Sequence, residues 1–260
     1  MVNTILAIEI TSCISCLACL SIIVTFLSFK EIRKKSYVKL VFYVAVCDFL
    51  SALCLSSTVK DGTIMCWITG LVLNYSQLGS ILWTDIIVWQ LYLTVVRGKS
   101  IRNQKRFHFF CWGVPLFYVL LPLTTNTYGV SGGEDYGYCW VVNRNDSPSW
   151  AESFWEILFF AIVWMSIFLI FFLFYFIVNE IRSSQSVLSP YIKQALRKLQ
   201  FYPAVIILCY SLVSYRFIAD ICNPHDENYG DRLQTGSDLV LAAQGQIVLV
   251  CTITIYSIMN

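Results

Sequence analysis

Long apolar runs alternate with short polar segments along the whole chain. A helix needs about 20 apolar residues to cross the ~30 Å hydrocarbon core of a bilayer. Seven runs approach or exceed that length. The pattern therefore predicts an all-α membrane protein, a single seven-helix bundle within residues 1–260, with spans at about 5–29, 40–59, 66–96, 109–125, 149–178, 200–221 and 238–259.

The third run, residues 66–96, is the longest and contains a single charged residue, Asp85. At about 1.5 Å per residue this run would form a helix roughly 45 Å long. Because that length exceeds the hydrocarbon thickness, the helix must tilt or project beyond the lipid. We expect the other helices to be arranged around it.

Basic residues are concentrated in every second polar segment. The segments after the first, third and fifth runs hold fourteen Lys and Arg residues, whereas the opposite segments hold three. Cytoplasmic loops of membrane proteins are enriched in these residues. The N-terminus is therefore predicted to lie outside, and the regular alternation supports the count of seven.

The composition agrees with a multi-pass integral membrane protein. Charged residues make up 13% of the chain, about half the share that is usual in soluble domains. We expect no metal site and no cofactor. The two histidines, His108 and His225, are predicted to lie on opposite sides of the bilayer, and the triplet Cys13, Cys16 and Cys19 lacks a further thiol pair or histidine.

Most of the eleven cysteines lie inside apolar runs, where they are interpreted as small buried hydrophobic side chains. Cys66, Cys139 and Cys222 instead fall at or beyond the ends of runs, and the predicted topology puts all three outside, where disulfides persist. We predict that a Cys66–Cys139 disulfide ties the second outer loop over the mouth of the bundle. Two free thiols, or competition from Cys222, are the alternatives.

Two aspartates, Asp48 and Asp85, lie within predicted spans. Counting from the inner ends places both carboxyl groups roughly 12–17 Å deep, and a carboxyl group there must face the bundle interior. They either share one site or are hydrogen-bonded separately to polar side chains. Pro203, near the inner end of the sixth span, is expected to kink its helix; the kink either gates an outward swing or is structural only.

Arg216 is the candidate ligand contact. It lies sixteen residues from the inner end of its span, roughly 24 Å up, and therefore in the outer half. A guanidinium can hold a phosphate or carboxylate through two parallel hydrogen bonds. The alternative is neutralisation by protein, either by Asp220 on the same helix face or by Glu156 at the top of the fifth span.

Several short stretches recur in a characteristic order and spacing. They are residues 39–48 (Lys-Leu-Val-Phe-Tyr-Val-Ala-Val-Cys-Asp), Leu82-Trp83-Thr84, residues 111–116 (Cys-Trp-Gly-Val-Pro-Leu), Cys139-Trp140, Tyr202-Pro203 and Arg216. In these stretches the chain resembles the cyclic AMP receptor-like G-protein-coupled receptors of slime moulds and their plant and protist relatives. It departs from rhodopsin-like receptors, with Gln90-Leu91-Tyr92 in place of Asp-Arg-Tyr.

The resemblance implies a plasma-membrane receptor that couples a small extracellular ligand, anionic or a cyclic nucleotide, to a heterotrimeric G protein. Nucleic-acid polymers are not expected as partners. Basic residues of the inner loops are the candidate G-protein contacts, and the alternative is that they hold the topology and bind anionic lipid. These candidates are Arg97, Arg102, Lys105, Arg106, Arg197 and Lys198.

A transporter, an orphan membrane protein without signalling and a membrane enzyme are the competing functions. A transporter is disfavoured because the two halves of the chain show no repeat and no matched broken helices. An enzyme is not expected, because neither intramembrane aspartate sits in a Gly-x-Gly-Asp context. A retinal pump would need a lysine in the seventh span, and residues 238–260 contain none.

Overall fold

The computed structural model describes residues 2–34, 36–99, 105–130, 136–142 and 148–183, together with position 211. Apart from position 211, the predicted sixth and seventh spans, at 200–221 and 238–259, fall outside these residues. The count of seven spans therefore stays a prediction, whereas the first five runs have structural counterparts.

Six α-helices account for most of the described residues. All but the short α2 are long and apolar enough to cross a membrane, and these five coincide with the first five predicted runs. The helices are α1 (Val2–Ser28), α2 (Lys30–Lys34), α3 (Ser36–Leu55), α4 (Ile64–Val96), α5 (Lys105–Leu120) and α6 (Ala151–Ser183), and a 3₁₀ turn (Pro122–Thr125) follows α5.

Helix α3 ends before the predicted limit of the second span, residue 59. Ser56 and Ser57 stop it, because both hydroxyl groups donate to the Leu53 carbonyl oxygen, at 3.0 and 2.7 Å. Short hydroxyl side chains that bond nearby backbone in this way compete with helix propagation. Val59 consequently opens the strand β1 (Val59–Lys60) instead of closing the helix.

Helix α5 begins at Lys105, whereas the sequence predicted a loop over 97–108 and a span from residue 109. Lys105 and Arg106 are both exposed. Their aliphatic stems can lie along the helix while the charged heads stay in the polar layer, so a polar turn precedes the apolar run. His108 therefore lies on a helix and not in a loop.

Helix α4 has a defined stop signal at each end. The Thr63 hydroxyl caps its first turn by accepting a hydrogen bond from the Cys66 backbone N–H at 3.3 Å. At the other end Gly98 adopts a left-handed φ of 59°, which is the usual way to end a helix. The 33 residues of α4 make a helix about 50 Å long.

The polar segment between α5 and α6 contains short strands that the sequence did not predict. Strand β2 (Tyr128–Val130) pairs antiparallel with β4 (Cys139–Val141), with Gly129 opposite Trp140. Strand β3 (Tyr136–Gly137) pairs antiparallel with β1. We call β2 and β4 together the ribbon, the end of the bundle that carries it the ribbon end, and the opposite end, near Arg97, the basic end.

Helix α4 is central among the described helices, as expected, because it packs against α3, α5 and α6. Trp83 is buried between α3 and α5, and Ile81 belongs to a buried cluster that includes residues of α5 and α6. Val88 packs against α6 nearer the basic end. The side chains of α4 therefore define the interior of the described bundle.

Candidate functional site

The ribbon is fixed covalently to α4. Cys66 in the first turn of α4 forms a disulfide with Cys139 in β4, with the Cα atoms 5.4 Å apart. The structure thus contains the predicted disulfide, while Cys222 lies outside the described residues. The bond holds the ribbon against the ribbon end of the central helix.

Gly70, one turn further along α4, allows the ribbon to approach the helix closely. Tyr128 of β2 packs on this glycine, and its hydroxyl donates to the Val119 carbonyl oxygen of α5 at 3.0 Å. A Cβ atom added to Gly70 would lie 2.8 Å from Tyr128 Cδ1 and 3.5 Å from Cys139 Cβ. Because the Tyr128 side chain is buried, it has little room to move away.

We expect Gly70→Ala to displace the ribbon and lower stability by about 1–3 kcal/mol, the usual effect of overpacking. Thermal unfolding and surface expression of the full chain would measure the loss. Gly113→Ala is the matched control, because a Cβ at that helical glycine meets nothing within 4 Å. An unchanged melting temperature for Gly70→Ala would contradict the close contact.

Two further contacts hold the ribbon in place. The Val130 backbone N–H donates to Asp61 Oδ1 at 3.0 Å, which ties β2 to the turn before α4. The Trp140 ring packs edge-on against Phe159 of α6, with the centroids 5.4 Å apart, and also contacts the cluster around Leu73. The ribbon therefore covers the space between α4 and α6 at its end of the bundle.

The two buried aspartates have separate hydroxyl partners on different helix pairs. Asp48 of α3 is hydrogen-bonded to Ser80 of α4, and Asp85 of α4 is hydrogen-bonded to Ser166 of α6. Ser80 precedes Asp85 by five residues, so the two aspartates are offset by roughly 7.5 Å along α4. Of the two arrangements considered for these aspartates, the structure has the one in which each carboxyl group is hydrogen-bonded to a separate polar side chain.

We expect Asp85→Asn to fold and reach the membrane, because an amide can still hydrogen-bond to Ser166. Asp85→Leu and Ser166→Ala should each lose the link between α4 and α6, which is worth about 0.6–2 kcal/mol inside a membrane protein. Their double variant should be no less stable than Asp85→Leu. Thermal unfolding would measure this, and complete loss of folding in Asp85→Asn would instead indicate an obligatory charge.

A further set of buried polar side chains lines α4 itself. Asn74 and Gln77 are 0% and 2% exposed, although they lie in an otherwise apolar run. The Asn74 Nδ2 donates to the Gly70 carbonyl oxygen at 2.9 Å. Asn74 Oδ1 and Gln77 Oε1 have no hydrogen-bond partner among the described residues. Neither residue was among the predicted site residues, although their spacing of three residues places them on one helix face.

An aromatic cluster joins α3, α4 and α5 on another side of the central helix. The Trp83 ring lies 4.6 Å from Tyr43, 4.9 Å from His108 and 5.5 Å from Trp112, between ring centroids. Gly79, one turn before Trp83, lets α3 approach α4 closely, since an added Cβ would lie 3.1 Å from Cys47 Sγ and 3.9 Å from Trp112. The cluster holds α3, α4 and α5 together. It was not expected from the sequence, because His108 was predicted to lie in a loop.

Of the three predicted ligand residues, one lies in the described part of the chain. Glu156, half-buried on α6, is near enough to Tyr118 of α5 to interact with it electrostatically. The adjacent Trp155 accepts a hydrogen bond from the Tyr118 hydroxyl through its carbonyl oxygen, at 2.8 Å. Arg216 and Asp220 lie outside the described residues, so their relation to Glu156 stays a prediction.

Three of the predicted coupling residues are described, and all are exposed at the basic end: Arg97, Lys105 and Arg106. The Arg97 Nε donates to the Tyr92 hydroxyl at 3.4 Å. The other predicted coupling residues and the predicted helix kink lie outside the described residues. They are Arg102, Arg197 and Lys198, and Pro203.

Glu9 is the only acidic residue in the first predicted span and was not among the predicted site residues. Its Oε1 accepts a hydrogen bond from the Thr58 hydroxyl, just beyond α3, at 2.6 Å. This contact ties α1 to the segment that follows α3. In the sequence, a single acidic residue near the end of an apolar run could have indicated such a polar contact.

A family model described as the slime mold cyclic AMP receptor matches residues 1–226. Cyclic AMP receptor-like protein A of Dictyostelium discoideum is 33% identical over 112 residues, 42% of this chain and 30% of that protein. G-protein coupled receptor 1 of Arabidopsis thaliana is 32% identical over 114 residues, 43% of this chain and 33% of that protein. Cyclic AMP receptor 1 of Dictyostelium discoideum is 29% identical over 97 residues, 36% of this chain and 24% of that protein.

The matched regions thus span a third or less of these curated relatives. Among solved structures, squid rhodopsin has a similar fold, with a TM-score of 0.72 over 99% of this chain and 83% of that chain, at 13% sequence identity. At this identity the similarity concerns the fold alone. It relates the described helices to a seven-helix receptor fold.

Proposed function

Because the chain belongs to the slime mold cyclic AMP receptor family, we propose that it is a G-protein-coupled receptor of the plasma membrane, which senses a small extracellular ligand and signals to a heterotrimeric G protein. The observation that carries the proposal is a row of buried polar side chains on α4, which includes Asn74, Gln77 and Asp85. The row begins one turn below the point where the disulfide-linked ribbon packs on α4. Asp85 belongs to this row, and an ionisable residue inside the membrane is costly to bury and by default marks a functional site.

The proposed orientation puts the ribbon end outside the cell and the basic end in the cytoplasm. Two independent features support it. Lys and Arg are concentrated in the segments at the basic end, as in cytoplasmic loops generally. The Cys66–Cys139 disulfide is at the opposite end, and disulfides persist in oxidising, extracytoplasmic surroundings.

The proposed ligand is a small anion that binds among the helices below the ribbon, and a cyclic nucleotide is the first candidate. The names of the Dictyostelium relatives support this choice, since they refer to cyclic AMP. Arg216 is the proposed anion contact, because a guanidinium can bind a phosphate through two parallel hydrogen bonds. Glu156 and Asp220 are the proposed carboxylates that orient it.

The proposed G-protein surface is the basic end. Arg97, Lys105 and Arg106 support it because they are exposed there; Arg102, Arg197 and Lys198 join them through the sequence alone. Pro203 would let the adjoining helix end move, since proline removes a backbone hydrogen bond. Binding of anionic lipid, worth about 1 kcal/mol for each cation, is compatible with this role.

A second-messenger assay in cells that express the chain tests the proposal. Cyclic AMP and cyclic GMP would be added outside the cells, and guanine-nucleotide exchange on co-expressed G proteins would be measured. Exchange that depends on an added nucleotide supports the proposal. Uptake of the nucleotide without exchange would contradict it and favour a transporter.

Neutralising Arg102, Lys105 and Arg106 together to glutamine should abolish exchange while leaving nucleotide binding at the cell surface unchanged. The control is a triple change of Arg33, Lys34 and Lys39 to glutamine, at the same end of the bundle. If both triple variants lose exchange equally, the cations act through general surface charge and not as a G-protein contact.

A further inference from the structure

The buried amide groups of Asn74 and Gln77 on α4 are the strongest remaining feature of the bundle. Each side chain is almost fully buried, yet each has a carbonyl oxygen without a donor among the described residues. A buried acceptor left in this state is destabilising, because nothing compensates for the loss of its hydrogen bonds to water. A bound molecule that supplies an N–H or O–H donor would remove this cost.

The orientation of the Asn74 amide is fixed by its neighbour. Its Nδ2 donates to the Gly70 carbonyl oxygen at 2.9 Å, so exchanging its nitrogen and oxygen would set two acceptors against each other. Its Oδ1 is the atom that remains, and it is an acceptor. Asn74 therefore calls for an N–H or O–H group and not for an anion.

The direction of Gln77 follows from the partners of its neighbours on α4. Ser80 faces α3 through Asp48, and Asp85 faces α6 through Ser166. At 100° per residue, Gln77 lies between these two directions, roughly 60° from Ser80 and roughly 80° from Asp85. Among the described helices, α3 and α6 make no extensive contact with each other, so Gln77 faces the sector between them.

The depth of the pair suits a ligand that enters at the ribbon end. Asn74 and Gln77 lie about one and two turns below Gly70, where Tyr128 of the ribbon packs on α4. Trp140 packs nearby against Leu73 and Phe159. The pair therefore lies just below the cover of the bundle, on the interior face of its central helix.

We infer that Asn74 and Gln77 accept hydrogen bonds from the ligand of the proposed receptor, and that this ligand carries an N–H or O–H donor apart from its anionic group. The inference rests on the proposed function and adds a specificity determinant to it. A site built to hydrogen-bond a donor rejects analogues that lack it, because its buried acceptors are then left unpaired. The anion and the donor would contact different parts of the site.

Binding of three probes to membranes that contain the full chain tests the inference. The probes are cyclic AMP, its analogue with chlorine in place of the exocyclic amine, and its 2′-deoxy analogue. The unmutated chain should bind at least one of the two analogues about tenfold more weakly than cyclic AMP, a difference that corresponds to one lost hydrogen bond. In Asn74→Leu or Gln77→Met, cyclic AMP and that analogue should bind equally.

Two further variants keep the test decisive. Gln77→Asn shortens the side chain by one methylene and keeps the amide group, so it provides a test even if Gln77→Met fails to fold. This variant should reduce the difference in affinity between cyclic AMP and the more weakly bound analogue. Gln90→Met is the matched control, because Gln90 Oε1 also lacks a hydrogen-bond partner among the described residues but lies roughly 20 Å nearer the basic end of α4 than Gln77. This variant should discriminate between the probes like the unmutated chain.

The outcomes separate the inference from the proposed function. If the unmutated chain binds the three probes equally, or all its variants keep the same discrimination, the inference is overturned while nucleotide binding stands. If the unmutated chain binds none of the probes, the proposed ligand class is overturned, and the inference with it.

Discussion

Replacing Cys66 or Cys139 by serine should release the ribbon from α4 and remove most surface expression and ligand response. The disulfide spans 73 residues of sequence, and the chain-entropy model gives about 4 kcal/mol for a closed loop of that length. Loss of the bond also exposes Tyr128, which is now buried between Gly70 and α5. The effect should therefore exceed that of Gly70→Ala, which strains the same contact without breaking the bond.

The double variant separates the disulfide from two independent thiols. If the cysteines act as a pair, Cys66→Ser with Cys139→Ser should be no worse than either single change, whereas additive losses would contradict the pairing. Cys13→Ser is the control, because it removes an exposed free cysteine of α1. Cell-surface labelling and thermal unfolding would measure all four variants.

The apolar pattern located the described spans because burial in lipid is decided over about 20 residues, but it could not locate their ends. Those ends depend on single local contacts, such as the hydroxyl bonds of Ser56 and Ser57 to Leu53. The ribbon was missed for a related reason. Strands of two or three residues are too short to produce an alternating pattern.

The candidate site was only partly visible in the sequence. The charges of Asp48 and Asp85 stood out against an apolar background, as did the position of Cys66 at the end of a run. Asn74 and Gln77 did not, because uncharged polar residues are tolerated in membrane helices. Their burial, and the direction in which Gln77 points, follow from the helices packed on either side of α4.

Arg216 is where the second large effect is expected. A permanently charged group at roughly 24 Å from the inner end of its span needs a partner, and the proposed function supplies an anionic ligand. The competing partner is Asp220, four residues further along the predicted sixth span. An Arg that precedes an Asp is the less favourable order for such a pair, which favours the ligand.

Arg216→Lys should preserve surface expression, because the positive charge remains available to balance the proposed carboxylate partners. It should weaken binding of cyclic AMP by about ten- to hundredfold, because an ammonium group cannot reproduce the two parallel hydrogen bonds of a guanidinium and a bond to a charged group is worth about 1.5–3 kcal/mol. Radioligand binding and surface labelling on the same cells would measure both quantities. The structural role predicts a different pattern, in which Arg216→Ala loses expression and the double change with Asp220→Ala restores it. If that double variant also recovers the full ligand response, Arg216 does not bind the ligand, since no guanidinium would then remain to hold the anion.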